Sequence, residues 1–148
     1  MQIPLPPSPP PSTASVSASM KGNRAERTRP ESKLRQELRR AGLHGFLMNY
    51  KKLPGTPDIA FPNKRLAIFL HGCFWHRCPY CHPHFPESNR AYWTAKFERN
   101  RFRDRKVRAA IRQAGWTTMV IWECKLKKNP AKAVLRIQRM VEMKDGKS

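Results

Sequence analysis

Four cysteines stand at Cys73, Cys78, Cys81 and Cys124, a C-x4-C-x2-C cluster followed by a distant fourth thiol. Zn²⁺ is held tetrahedrally by four thiolates, and a C-x2-C pair lets two sulfurs converge on one ion, so the spacing predicts a closed, structural metal site. Cys78 and Cys81 lie among Arg77, Pro79, Tyr80 and His82, which is not the composition of a core. His76, His82 and His84 are near enough in sequence to substitute as ligands. A second set of reactive side chains flanks this cluster. Asp58, one of three aspartates in the chain, follows the turn Pro54-Gly55-Thr56-Pro57, and His71 and His76 bracket Cys73. An aspartate in such a place often does no more than bond its own turn. Here the next apolar run leads straight into His71-Gly72-Cys73-Phe74-Trp75-His76, so a carboxylate and two imidazoles can share one end of a sheet. A carboxylate there can hold Mg²⁺ beside a phosphate, and an imidazole can take a proton from water. That is the chemistry of phosphodiester hydrolysis.

These side chains need elements to position them. Thr28-Arg29-Pro30-Glu31 has the spacing of a capping box with proline in the first turn, and Leu34, Leu38 and Ala41 follow at i, i+4 and i+7 before Gly42. A helix over 29–41 is predicted. Ile59-Ala60-Phe61 and the run 65–70 read as a hairpin across Pro62-Asn63-Lys64. Residues 71–87 have no usable period and hold three cysteines and four histidines, so a metal rather than core packing must organise them. The adjacent aromatics Phe74 and Trp75, on an extended loop, would point apart and could not easily enter one core. A long basic helix is predicted over 90–114, with Val107, Ile111 and Ala114 as its clearest stripe and Gly115 at its end. Its arginines, Arg99, Arg101, Arg103, Arg105 and Arg108, face solvent or phosphates. Thr117 to Trp122 is a β-branched strand, and Cys124, at the end of Val120-Ile121-Trp122-Glu123, would staple the insert to the sheet. Asn129-Pro130 opens a last helix carrying Val134, Ile137 and Val141. This order predicts an α/β domain, helices packed on a small mixed sheet.

Length and charge bound the partners. A chain of 148 residues supports one core. Thirty Lys+Arg against ten Asp+Glu give a formal charge of +20, which calls for a polyanion, nucleic acid first and an anionic membrane surface second. No stretch approaches 18 consecutive apolar residues, which excludes a membrane-spanning helix. Residues 1–19 hold six prolines and five serines and no charge, a disordered arm in expectation, followed by the domain at 20–148. The N-terminal stretch lacks the charged and apolar regions of a secretory signal, so a cytoplasmic protein is expected, associated with the nucleoid when on DNA. The basic run from Met20 to Arg29 suits a phosphate backbone or a solubilising linker.

P-G-T-P-D-I (54–59), H-G-C-F-W-H (71–76) and V-I-W-E-C (120–124), with T-R-P-E at 28–31 and Met20 eleven residues before Glu31, together resemble the very-short-patch-repair (Vsr) family of bacterial DNA mismatch endonucleases. The similarity spans roughly residues 17–145. It implies a restriction-endonuclease-like fold and a nick 5′ of the thymine in T·G mismatches, the lesion left by deamination of 5-methylcytosine. It further implies Asp58 as the Mg²⁺-binding carboxylate, His76 as the group activating water and His71 as a holder of the scissile phosphate. Glu31 would be an acidic partner orienting a histidine or metal-bound waters. Leu70 stands where some members have a polar residue, so only its backbone carbonyl could assist the metal. Structural Zn²⁺ would sit on Cys73, Cys78, Cys81 and Cys124, with Cys78 replacing a histidine used elsewhere in the family. The acidic-x-Lys element of most restriction-like nucleases is replaced by Phe69-Leu70-His71. Met20, Phe74 and Trp75 would wedge between base pairs at the mismatch, where unstacking costs least. A monomer is implied, because a nick needs one site, and repair-machinery proteins are candidate partners. The rival expectations are a zinc-stabilised DNA-binding protein without nuclease activity and a nickase with another lesion or sequence preference. The former gains if Asp58 lies far from His76.

Overall fold

The computed structural model describes residues 30–145. The arm at 1–19, the wedge candidate Met20 and the cap at Thr28 lie outside the described residues. Helix α1 covers 30–40 and ends in a Schellman motif: the Leu43 N–H donates to the Leu38 carbonyl and that of Gly42 to Arg39, with Gly42 at φ 82°. Leu34 and Leu38 are fully buried. Ala41, expected as the third residue of the stripe, sits beyond the last turn and is exposed.

Four strands form one sheet in the order β1-β2-β3-β4. Strand β1 (Leu47–Met48) is a short edge that the sequence pattern did not announce. β2 (Ile59–Phe61) pairs antiparallel with β3 (Leu66–His71) across a 3₁₀ turn at Pro62–Lys64, the expected hairpin. β4 (Thr117–Trp122) pairs parallel with β3. The connection between them is α3 (Arg90–Gln113), as a parallel crossover requires. A one-turn helix, α2 (Cys73–His76), follows β3; α4 (Glu123–Lys128) and α5 (Pro130–Asp145) complete the order. Asn129 caps α5 by accepting the Lys132 N–H on its Oδ1 (3.1 Å).

The two-residue period of β3 divides the core. Leu66 and Ile68 join Met119 and Ile121 of β4 on one face, against Leu34 and Leu38 of α1, Leu126 of α4 and Val134, Ile137 and Val141 of α5. Ala67 and Phe69 face the other way, onto Ile111 of α3, with Val107, Trp116 and Val120 closing the layer. Burying a side chain of the size of Ile68 or Ile121 contributes about 1.5–3 kcal/mol. Helices therefore cover both faces of a small mixed sheet, the predicted α/β architecture and one consistent with a restriction-endonuclease-like fold. Continuing the period one step puts His71, 6% exposed, on the α3 face.

Candidate active site and metal centre

The register of β3 on β4 builds the metal centre. Parallel pairing sets His71 opposite Trp122, and both chains leave the sheet in step, so that the Cys124 N–H donates to Cys73 Sγ at 3.4 Å. Cys124 thus lies in the first turn of α4, because β4 stops at Trp122 rather than running on through Glu123. The sulfurs of Cys73, Cys78, Cys81 and Cys124 all lie within 4.8 Å of one another, and those of Cys78 and Cys124 are 3.7 Å apart. A tetrahedron with Zn–S bonds of about 2.3 Å has S···S edges of about 3.8 Å, so the donor set fits that ion. The Tyr80 N–H also donates to Cys78 Sγ (3.4 Å). At Cys78 burial opposes ionisation but is outweighed by the N–H groups of Cys81 and Tyr80, which pull its thiol below the ordinary value. Burial pushes the Cys73 thiol well up. His82 and His84 are exposed and stand outside the cluster, as does His76.

The cysteine cluster ties down α2, and α2 carries His76 into a cleft of about 760 Å³. Glu31, Asp58, Leu70, His71, Trp75 and His76 all line this cleft. Asp58 and His76, expected at the same end of the sheet, open into one space. Asp58 is fixed from two sides: its carbonyl accepts the Asn49 N–H (2.9 Å), and its Oδ2 accepts the Leu70 N–H (2.7 Å). The second bond brings the Leu70 peptide to the carboxylate, while the Leu70 side chain packs on the core. Glu31 faces Asp58. Burial first, then the hydrogen bond and charge of Asp58, raise the Glu31 pKa to about 7. Two carboxyls in contact share a proton or a cation, so this pair fits a divalent ion.

His76 has a partner that the sequence reading missed. Asp104, on α3, accepts a hydrogen bond from His76 Nδ1 at 2.5 Å. Burial works against ionising Asp104, yet the hydrogen bond with His76, followed by the electrostatic influence of its cationic surroundings, Arg108 among them, outweighs it and lowers its pKa. An ionised carboxylate only accepts, so Nδ1 donates to it, and in the neutral form of the imidazole the lone pair is then on Nε2. The sequence did hold a signal: Asp104 is an isolated acid inside a run of arginines, and Lys96, Asn100, Asp104 and Arg108 recur every fourth residue on one face of the helix. His71 stacks on His76, ring centroids 3.9 Å apart and planes 6° apart, with Trp122 edge-on at 5.2 Å. Rings stacked in parallel aim their lone pairs along parallel planes, so His71, His76 and Asp104 do not converge on one ion although their ligand atoms are close. Burial, reinforced by His76, lowers the His71 pKa to about 4, and its buried Nδ1 has no partner among the described residues. His71 is therefore a neutral imidazole at physiological pH.

Phe74 and Trp75 sit on a helical turn, not an extended loop. Both approach Trp93, at 5.6 and 6.0 Å, and Phe74 also meets Phe97 at 5.3 Å. The expectation that they could not share a core is corrected: a helical turn sets neighbours about 100° apart, which still lets both touch one large ring. Both remain half-buried. Arg77 closes the cluster, its guanidinium 4.6 Å from the Phe97 ring centre and bonded to the Pro83 carbonyl (2.6 Å).

A carboxylate pair in contact, a histidine held by an aspartate and a basic helix along one cleft are the groups that a hydrolase acting on a polyanion would use. Residues 12–81 match the sequence model of the family described as DNA mismatch endonuclease Vsr. Among curated proteins, the chain is 45% identical over 103 residues to the type II nicking enzyme V.XorIIP of Xanthomonas oryzae pv. oryzae, covering 70% of this chain and 75% of that one. It is 39% identical over 119 residues to the type II nicking enzyme V.NaeI of Lentzea aerocolonigenes, covering 78% and 71%. It is 33% identical over 115 residues to the DNA mismatch endonuclease Vsr of Escherichia coli K12, covering 77% and 72%. The chain belongs to the Vsr family of DNA endonucleases. Among the described residues, no helix is long and apolar enough to cross a membrane.

Proposed function

We propose that this protein nicks one strand of duplex DNA 5′ of the thymine in a T·G mismatch, as the first step of very short patch repair, with Mg²⁺ at Asp58 and structural Zn²⁺ on the four cysteines. The observation that carries the reading is that Asp58 and the His76–Asp104 pair line one cleft. That proximity also disfavours a purely DNA-binding role.

Asp58, steadied by the Leu70 amide, is the metal-binding carboxylate, with Glu31 beside it and the Leu70 carbonyl as a further oxygen donor. Bound there, Mg²⁺ supplies positive charge to the phosphate under attack. His76 accepts the proton of the attacking water on Nε2 while Asp104 fixes its tautomer and steadies the imidazolium that forms. His71, neutral and buried under His76, holds that ring in place and offers a hydrogen bond to the scissile phosphate. The products are a 5′-phosphate and a 3′-hydroxyl. Phe74 and Trp75, with Met20 from the arm, act as apolar wedges at the mismatched step, where stacking and pairing are weakest. One site cuts one strand, so the protein works as a monomer.

A panel of end-labelled duplexes containing each mismatch, with a matched control, tests this reading. T·G duplexes should be nicked at least tenfold faster than the others in Mg²⁺. Equal cutting of all duplexes would favour a nickase of different preference.

A further inference from the structure

Arg108 differs from the other arginines of the basic helix. Arg101, Arg103 and Arg105 are exposed, Arg103 is engaged with Asn100 Oδ1 at 2.6 Å, and Arg99, also half-buried, does not line the cleft. Arg108 is half-buried, lines the cleft with Asp58, His71 and His76, and lies one helical turn beyond Asp104 on the same face. Its neighbour Val107 packs so closely on the 54–57 turn that a Cβ on Gly55 would come within 2.5 Å of it. The face of the helix that carries Asp104 and Arg108 thus stands beside the turn that presents Asp58. No carboxylate of the described residues lies within ion-pairing distance of its guanidinium, whereas the other described ion pairs are made elsewhere.

The charges of the cleft give this cation a task. Four carboxyl groups, Glu31, Asp58, Asp104 and Glu123, line it, Glu123 being paired with Lys127 at 3.2 Å, and such a concentration of acid disfavours a phosphodiester unless cations oppose it. Of the three opposing cations, Lys96 is drawn to the aromatic end, over the Trp75 ring at 5.2 Å, and Arg103 is exposed. The imidazoles are not permanent cations, while a guanidinium remains protonated throughout the working pH range and presents a planar fork of donors to phosphate oxygens.

We propose that Arg108 is a further catalytic residue, contacting the non-bridging oxygens of the phosphodiester under attack and neutralising the charge that accumulates on them. The proposal rests on the nicking reaction argued above. In that reaction the water oxygen bonds to phosphorus as the bond from phosphorus to the 3′ oxygen breaks. The water proton passes to His76 Nε2, the leaving oxygen takes a proton from solvent, and Arg108 keeps its own protons.

Single-turnover nicking of a T·G duplex at saturating, zinc-replete protein tests this, alongside the binding constant of each variant measured in Ca²⁺. Arg108→Ala should lower the saturating rate by about 10²–10³-fold with less than a tenfold change in binding, the pattern of a group aimed at transition-state charge. Arg108→Lys should recover part of the rate, and added methylguanidinium should partly rescue Arg108→Ala but not Asp58→Ala. Arg136→Ala, which removes an equal charge from the exposed side of α5, should match the wild type. A saturating rate for Arg108→Ala within threefold of wild type overturns the proposal, even if binding weakens. So does an equal loss in Arg136→Ala, which would trace the effect to net charge. A wild-type protein that leaves the duplex intact overturns the underlying nicking reading and this proposal with it.

Discussion

Asp104 and His71 meet the His76 imidazole in opposite ways. Asp104 meets its edge and selects the tautomer, and His71 lies flat beneath it. Asp104→Asn keeps the shape but removes the obligate acceptor, so the base nitrogen is no longer assured. Single-turnover nicking by that variant should fall about 10²–10⁴-fold with folding unchanged, by analogy with other aspartate-held histidines. His71 makes a separate prediction about stability. Its pKa is about 4 in the fold against an ordinary 6.5, so between those values the unfolded chain binds more protons than the native one. Stability therefore rises with pH across pH 4–6.5 and drops as the pH is lowered, by up to about 1.4 kcal/mol per pH unit for one proton. Glu31, raised to about 7, contributes with the opposite sign between pH 4.5 and 7. Urea titrations of His71→Asn should show a shallower loss below pH 6.5 than the wild type.

At the level of elements, the turn before β2 decides where Asp58 points. Gly55 has φ +74°, and a Cβ there would clash with Val107 Cγ1 at 2.5 Å. Gly55→Ala should destabilise by about 1–3 kcal/mol in urea titrations and slow nicking by shifting Asp58. Adding Val107→Ala removes the clash but not the backbone strain, so it should restore only part of the stability. Cys124→Ser should lower bound zinc and the melting temperature together, because α4 and the 71–87 insert are joined through that cluster. The hairpin, the long helix, β4 and the final helix were legible because apolar periods and turn residues coincide at Ile59, Leu66, Ile111 and Val134. β1 and α4 were not. Leu47–Met48 is too short for a period, and α4 begins at Glu123 without a capping side chain. The four cysteines, Asp58 and the histidines were readable as residue types at telling intervals. Asp104 stood out in the arginine run as an isolated acid, but its partner was not readable, because which imidazole it meets depends on how α3 packs against α2, a tertiary fact.

Across the whole molecule, a charge of +20 and a cleft walled by α3 make DNA affinity chiefly electrostatic. The logarithm of the binding constant should fall linearly with the logarithm of salt concentration. If exposed Arg101 contacts a phosphate, as proposed for the basic helix, Arg101→Ala should reduce the magnitude of that slope by about 1, without changing mismatch preference. The cysteine cluster, the parallel register of β3 and β4 and the packing of α3 all serve one arrangement, in which a carboxylate from the hairpin and an imidazole from the insert line one cleft. Single-turnover cleavage of a T·G duplex by wild-type and Asp58→Ala protein, with Mg²⁺ and with EDTA, tests that arrangement most directly. The expected result is a single-strand nick by the wild type in Mg²⁺ only, with Asp58→Ala binding the duplex normally and cutting it at least 10³-fold more slowly. Normal cutting by Asp58→Ala, or by the wild type in EDTA, would contradict the account.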